Sequence, residues 1–255
     1  MITPEERRAT ARAYVAAEPP VVPEPPGSPG HEPVGTVGRL QRLCRAAARA
    51  LPATGAAISL MTPAGVHAVA AASDPAGEAL GTLQITLGEG PGIDAYLTRR
   101  PVLEPDLTAG SAHRWPGYRA AVLEEGTRAV FAFPLQLGAA RLGVLDVYRR
   151  SPGALSSAAL QQALTFAELG VEVLLEGQEN APPGHAEAPL DQALDAGYAV
   201  YQAQGMTTID LGVSLAEAMA RLQAYSFAQN RPLPAVARDI VAGRLRLERD
   251  DGTAH

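Results

Sequence analysis

The sequence predicts an α+β domain, an antiparallel sheet flanked by helices, followed by a small all-α domain of three helices. Two pairs of strand-length apolar runs carry the sheet, 55–62 with 65–73 and 128–137 with 141–150, each pair joined by turn residues. Helix-period stripes stand at both ends of that region, and three more, with marked ends, fill the last sixty residues.

In chain order, Thr3 and Glu6 with Pro4 between them predict a short capped helix to about Ala17. The run 19–33, PPVVPEPPGSPGHEP, is an unpatterned linker, so 1–33 is expected to be one short helix and a disordered stretch. The domain at 34–176 opens with a helix whose stripe is Val37, Leu40, Cys44, Ala47 and Leu51. Strands at 55–62 and 65–73 meet at a Thr62–Gly65 turn, and a weaker strand is expected at 82–87. A short helix over 91–99, an extended VLEPDL and a helix over 116–125 follow. The second strand pair closes as a hairpin across Gly138, and a long helix spans 156–176. The first and last helices are expected to pack as a helical layer or a dimer seam.

Residues 177–189 form a second linker, 190–249 the helical domain and 250–255 a tail. Leu190, Leu194, Gly197 and Tyr201 make one stripe that Gly205 is expected to end. Ser214 and Glu217 read as a capping box, ahead of Leu215, Ala218, Met219 and Leu222, with Asn230 as terminator. Pro234 opens a third helix carrying Val236, Ala237, Ile240, Val241 and Leu245. So small a core is marginal alone and is expected to lean on a dimer or a neighbouring domain.

Composition excludes several chemistries. All 21 basic residues are arginine, so a Walker-A loop, a kinase phosphate lysine, a Schiff base and the usual lysine-containing phosphoacceptor receiver are absent. Cys44 is the only cysteine, which excludes an intrachain disulfide and a cysteine-cluster metal site. His67 and His113 lack metal-ligand spacing, so no metal and no cofactor is expected. No Ser/His/acid cluster announces a hydrolase; the expectation is a non-enzyme. Hydrophobic content of 47% with mean hydropathy near zero indicates a globular chain. With no 18-residue apolar run and no basic-then-apolar leader, a cytoplasmic protein is expected.

Net charge is −6, yet 34–176 holds twelve acids and twelve arginines and 190–249 six of each. Within the helical domain, 221–249 carries six arginines against Asp239 and Glu248, while 190–220 carries four acids and no base. A basic helix pair bearing Tyr225, Gln229 and Asn230 suits a structured single-stranded loop; the plainer reading is a solvated helix face.

Gly205-Met206, Gly212-Val213-Ser214, Glu217-Ala218, Leu222, Ala228-Gln229-Asn230, Leu233 and Val236-Ala237 resemble the ANTAR domain, an RNA-binding module of transcription antitermination regulators. That resemblance, over about 190–246, implies a three-helix domain that, paired in a dimer, grips two hairpin loops in nascent RNA. With RNA as the partner, the candidates for contact are Arg221, Gln223, Tyr225, Ser226, Gln229, Asn230, Arg231 and Arg238, arginines for phosphates, amides for base edges and Tyr225 for stacking. Family members often carry arginine where this chain has Gln223.

Over about 35–176 the chain resembles the GAF sensor domain, through Leu83-Gln84, Gly88-Glu89-Gly90-Pro91, Asp94-Ala95, Pro101-Val102, Asp106-Leu107, Arg114-Trp115-Pro116, Gly126, Phe133-Pro134-Leu135 and Leu142-Gly143-Val144-Leu145. The pairing is similar to actinobacterial GAF-ANTAR regulators and implies dimerisation or small-molecule sensing. Some relatives have cysteine at the position of Gly92, so a covalent chromophore there is not expected. Asp94, Trp115 and Tyr118 are the candidate pocket residues, with a core role for the tryptophan as the alternative. GEGPG at 88–92 reads as a tight turn before it reads as an anion cradle, and Cys44 as packing before it reads as a thiol sensor. Two other functions stay open for the C-terminal helices: a DNA-binding helix-turn-helix, or a protein-interaction and dimerisation module without nucleic-acid binding.

Overall fold

The computed structural model describes residues 3–19, 35–62, 65–109, 114–180, 188–229 and 231–247. Helix α1 (Pro4–Ala17) is capped as predicted: the Thr3 hydroxyl accepts from the Glu6 amide at 3.2 Å, and the Glu6 carboxylate accepts from the Thr3 amide at 2.7 Å. Helix α2 (Thr36–Ala50) then leads into β1 (Gly55–Thr62) and β2 (Gly65–Ala72), an antiparallel pair. The turn at Pro63 and Ala64 lies outside the described residues.

The strand expected at 82–87 is instead the end of helix α3 (Pro75–Leu87). Its start lies upstream of the β-branched run: Asp74 accepts from the Gly77 amide at 3.0 Å, and Pro75 sits in the first turn, where no amide is needed. Gly88, at φ 68°, ends it in the left-handed conformation that favours glycine. Helix α4 (Pro91–Thr98), strand β3 (Val102–Glu104) and helix α5 (Pro116–Glu124) follow, and then β4 (Ala129–Leu137) and β5 (Ala140–Arg149) form the predicted hairpin.

The five strands form one antiparallel sheet in the order β2-β1-β5-β4-β3. Period-two alternation sends Ile58, Phe131, Phe133, Leu135, Leu145 and Val147 to one face, against Leu40, Leu43 and Phe166 of the helices. Ala57, Val130, Ala132, Val144 and Tyr148 face the other way, against Leu80, Trp115, Tyr118 and Val122. The first layer is α2 with helix α6 (Ser157–Asn180), the helical layer the stripes predict; α1 lies across both. Helix α6 is apolar and long enough over 157–178 to cross a membrane, although the sequence shows no 18-residue wholly apolar run. Here it lies on the sheet with Ala163, Phe166 and Leu169 buried, while Glu168, Glu172 and Glu176 pair outward with arginines.

Helix α6 runs past the predicted break at 177, and the next helix begins at Ala188, so the expected linker is helical at both ends; 181–187 lies outside the described residues. Helix α7 (Ala188–Leu211) continues through Gly205, against expectation, and ends instead before Gly212 at φ 68°. Burial of Val200, Ala203 and Thr207 offsets the roughly 1 kcal/mol that an interior glycine costs relative to alanine. The side chains of Leu190, Leu194 and Gly197 lie outside the described set. Helix α8 (Leu215–Ala228) starts at the predicted Ser214 cap, but only half of the box forms. The hydroxyl accepts from the Glu217 amide at 3.2 Å, whereas the Glu217 carboxylate binds Arg221 at 3.1 Å. Helix α9 (Leu233–Val241) carries Pro234 in its first turn and ends before Leu245, which still packs on the helical core.

That core gathers Val200, Ala203, Leu222, Leu233, Val236, Ala237 and Ile240. Ile85 of α3 and Val69 of β2 join it, so the small domain leans on the sheet domain, one of the two supports its size calls for.

Gly143 of β5 lies opposite Leu60 of β1, and an added Cβ there would collide with the Ser59 carbonyl. Gly143→Ala is therefore expected to cost on the order of 1–3 kcal/mol through overpacking against backbone that cannot move aside. Thermal unfolding followed by circular dichroism checks this; an unchanged midpoint contradicts the packing.

Candidate nucleic-acid interface and sensor core

Helical spacing puts Arg221, Tyr225 and Gln229 on one flank of α8, four residues apart. Arg221 is held by Glu217 in an i,i+4 pair, Tyr225 is half-buried and Gln229 is exposed at the helix end. The flank runs into the α8–α9 corner. There the Ser226 hydroxyl donates to the Arg231 carbonyl and the Arg231 amide donates to the Ser226 carbonyl at 2.9 Å. Ser226 is 1% exposed, so its side chain builds the corner and is not open to a partner.

Arg231 pairs with Asp239, which also accepts from Arg244 Nη2 at 2.7 Å. The Asp239 carboxyl is held below the usual carboxylate range, first by the Arg231 hydrogen bond and then by that of Arg244, and Asp239 in turn raises Arg231. The triad keeps one net positive charge at the surface. Arg238 is exposed, its Nε donating to the Pro234 carbonyl at 3.2 Å. Gln223 lies on the opposite flank of α8, against Gly88 at the end of α3, and faces the sheet domain. Asn230 lies outside the described residues.

In the sheet domain Asp94 and Trp115 come together with Arg114 as a clamp, and Tyr118 packs in the buried cluster that holds Trp115. Asp94 accepts from Arg114 Nη2 at 2.9 Å and from Trp115 Nε1 at 3.2 Å, and the Arg114 guanidinium stacks on the Trp115 ring at 4.2 Å. Tyr118 is fully buried, and its amide donates to Glu89 Oε1 at 2.9 Å. Cys44 is buried beside the Ala71 carbonyl, and desolvation pushes its thiol far up, which removes the thiolate that sensing needs.

Behind the clamp is a centre that the sequence reading missed. Asp146, on the same face of β5 as Val144 and Tyr148, is fully buried and accepts from Gln84 Nε2 at 2.8 Å. Gln84 Oε1 accepts from the Gly92 amide at 2.7 Å, so α3 supplies the cap that Gly90 cannot give α4. Burial raises the Asp146 carboxyl to about 7, the Gln84 hydrogen bond opposing the shift, and burial likewise pushes Tyr118 and Tyr148 well above their ordinary values. Among the described residues the Tyr118 hydroxyl has no hydrogen-bond partner, while the Tyr148 hydroxyl lies close enough to Gln84 and Asp146 to share in their hydrogen bonding, which also opposes the upward shift of Asp146. The available signal was one acid inside the apolar run LGVLDVY. Among the described residues no three potential metal ligands gather.

A GAF-domain family model matches residues 38–174, and an ANTAR-domain model matches residues 188–241. The chain belongs to the GAF family and carries an ANTAR domain. Solved structures similar to it include the GAF domain of a phosphoenolpyruvate-protein phosphotransferase from Acinetobacter, 13% identical over 69% of this chain and 94% of that one, TM-score 0.49. Its counterpart from Coxiella burnetii is 14% identical over 69% and 94%, TM-score 0.49. A GAF domain/HD domain protein from Geobacter sulfurreducens is 14% identical over 60% and 100%, TM-score 0.44. No curated protein matches significantly.

In this GAF-ANTAR protein Gly92 has a local reason: a Cβ there would lie 2.9 Å from Asp146 Oδ2 and 3.0 Å from Gln84 Oε1. A side chain at that position would displace the buried carboxylate.

Because burial raises the folded Asp146 carboxyl above its unfolded value, the folded state is expected to lose stability as pH rises from about 4 through about 7, by a few kcal/mol at most. Asp146→Asn keeps an acceptor for Gln84 and is expected to flatten that dependence and stabilise the protein at pH 8. Urea unfolding of both proteins at pH 5 and pH 8 checks it; parallel pH profiles sink the assignment.

Proposed function

We propose that the chain is a non-enzymatic, cytoplasmic transcription antitermination regulator whose ANTAR domain binds hairpin loops in nascent RNA. The observation that carries this reading is the ANTAR match laid over a three-helix domain whose α8 flank, Arg221, Tyr225 and Gln229, leads to the arginines of the α8–α9 corner. Arginine forks suit phosphate oxygens, and the Tyr225 ring and the Gln229 amide suit stacking and base edges. Arg238 is the most accessible of the candidate cations, whereas Arg231 also holds the corner through Asp239. Gln223 and Ser226 serve the fold.

The working form is a homodimer. Tyr198, Tyr201 and Ile209 are exposed along α7, an apolar strip that suits a second copy. The GAF domain supplies dimerisation or small-molecule sensing, with the Asp146 centre as the place a ligand would perturb. Duplex-DNA binding and pure protein interaction are the competing readings, and one experiment separates all three.

Paired-hairpin RNA is expected to bind in gel shifts with steep salt dependence and to resist competition by duplex DNA. Arg238→Ala is expected to weaken binding several-fold and reduce the slope of log affinity against log salt by about one, with the unfolding midpoint unchanged. Preference for duplex DNA, or no binding to either at low salt, overturns the proposal.

A further inference from the structure

We propose that the groove between α1, α2 and α6 binds a small amphipathic monoanion, a carboxylate with an apolar body, using Arg42 as its counter-charge. The groove encloses about 490 Å³, within the range of small-molecule sites. Leu43, Leu169, Val173 and Val15 give it an apolar lining, and its charged members are Arg12, Arg39, Arg42, Glu172 and Glu176.

Pairing leaves one charge over. Arg12 meets Glu172 at 3.0 Å, and Arg39 meets Glu176. Arg42 has no carboxylate within pairing distance among the described residues; its Nη2 donates to the Val15 carbonyl at 3.2 Å, and its Nε is buried without a partner. A half-buried guanidinium without a counter-charge is an unfavourable state, and a carboxylate seated against its accessible face relieves it. The lining beside it would take the hydrocarbon body. A polyanion fits poorly, since Glu172 and Glu176 rim the same groove.

The site is separate from the Asp146 centre, for α2 and α6 cover one face of the sheet and α3 to α5 the other. It also bears on how α1 is held. Helix α1 is held by Ala11 and Val15 against the core, by Glu18 and the Val15 and Pro19 carbonyls at its end, and by exposed ion pairs such as Arg8–Glu168 and Arg12–Glu172, which are weak in water. A ligand seated between the three helices would fasten α1 to the layer beneath.

Calorimetry and hydrogen exchange on the full chain test this, with decanoate, decyltrimethylammonium and decanol as probes below their aggregation concentrations. Decanoate is expected to bind about one per chain and to slow amide exchange in 8–17, and the cationic and neutral analogues are expected to do neither. Arg42→Gln should weaken decanoate binding about tenfold or more, while Arg42→Lys, which keeps the charge, retains most of it. Equal binding of the three headgroups, full binding by Arg42→Gln, or no decanoate binding at all would each overturn the proposal. None of these outcomes depends on whether the ANTAR domain binds RNA.

Discussion

Both faces of the five-stranded sheet must be kept from water, and the rest of the molecule follows from how the chain meets that demand. Strand β5 lies at the centre of the order, paired to β1 and β4. Its odd-numbered residues Leu145 and Val147 require the α2–α6 layer; its even-numbered residues Val144, Asp146 and Tyr148 require the layer of α3, α4 and α5. A carboxylate in the second series is the exception to an otherwise apolar rule, and a buried acid needs hydrogen-bond donors. Gln84 provides one, and in doing so turns its own carbonyl to the start of α4. A single polar residue on an apolar face therefore fixes the junction of two helices and demands a glycine at position 92.

Where the pattern was local, the fold was legible. Alternation in 128–137 and 141–150 marked the hairpin because both determinants, the period and the Gly138 turn, lie within the segment itself. Helix α3 was misread because Ile85 and Thr86 look strand-like, while the deciding Asp74–Pro75 cap lies about ten residues earlier. Gly205 was misread for the converse reason: its residue type argues for a break, and the burial of its neighbours, a tertiary effect, overrides it. In the ANTAR domain the helical period located Arg221, Tyr225 and Gln229 on one flank, but not which arginines were already paired. Arg231 and Asp239 lie eight residues apart, a separation that only the chain's path into α9 turns into contact. The direction of Gln223 was illegible in the ANTAR segment alone, because what it touches, Gly88, belongs to the other domain.

The meeting of the domains has its own physical logic. A three-helix unit of this size buries too little apolar surface to be comfortably stable by itself. Here it completes its core with Ile85 and Val69 of the GAF domain. Helix α8 is thereby divided. Ala218, Leu222 and Ser226 are buried, Gln223 meets α3 on one flank, and Arg221 and Tyr225 stand on the other. An arginine in place of Gln223 would set a larger, charged group against the end of α3, so glutamine is the choice that keeps the seam closed.

The end of α3 is consequently held twice. Gln84, one turn before its end, is bound to the Asp146 centre, and Gly88, its terminator, is covered by the Gln223 amide of α8. Four residues of one helix separate the buried acid's partner from the contact with α8. Adjacency of this kind is geometry; it becomes regulation only if α3 has two arrangements that a ligand and an RNA favour unequally. The features that would permit two arrangements are polar. Burial raises the Asp146 carboxyl to about 7, and the hydroxyls of Tyr118 and Tyr148 share its pocket. An apolar core in their place would pack in one way only, whereas a buried acid that can gain or lose a proton leaves the α3–α4 junction sensitive to whatever enters beside it.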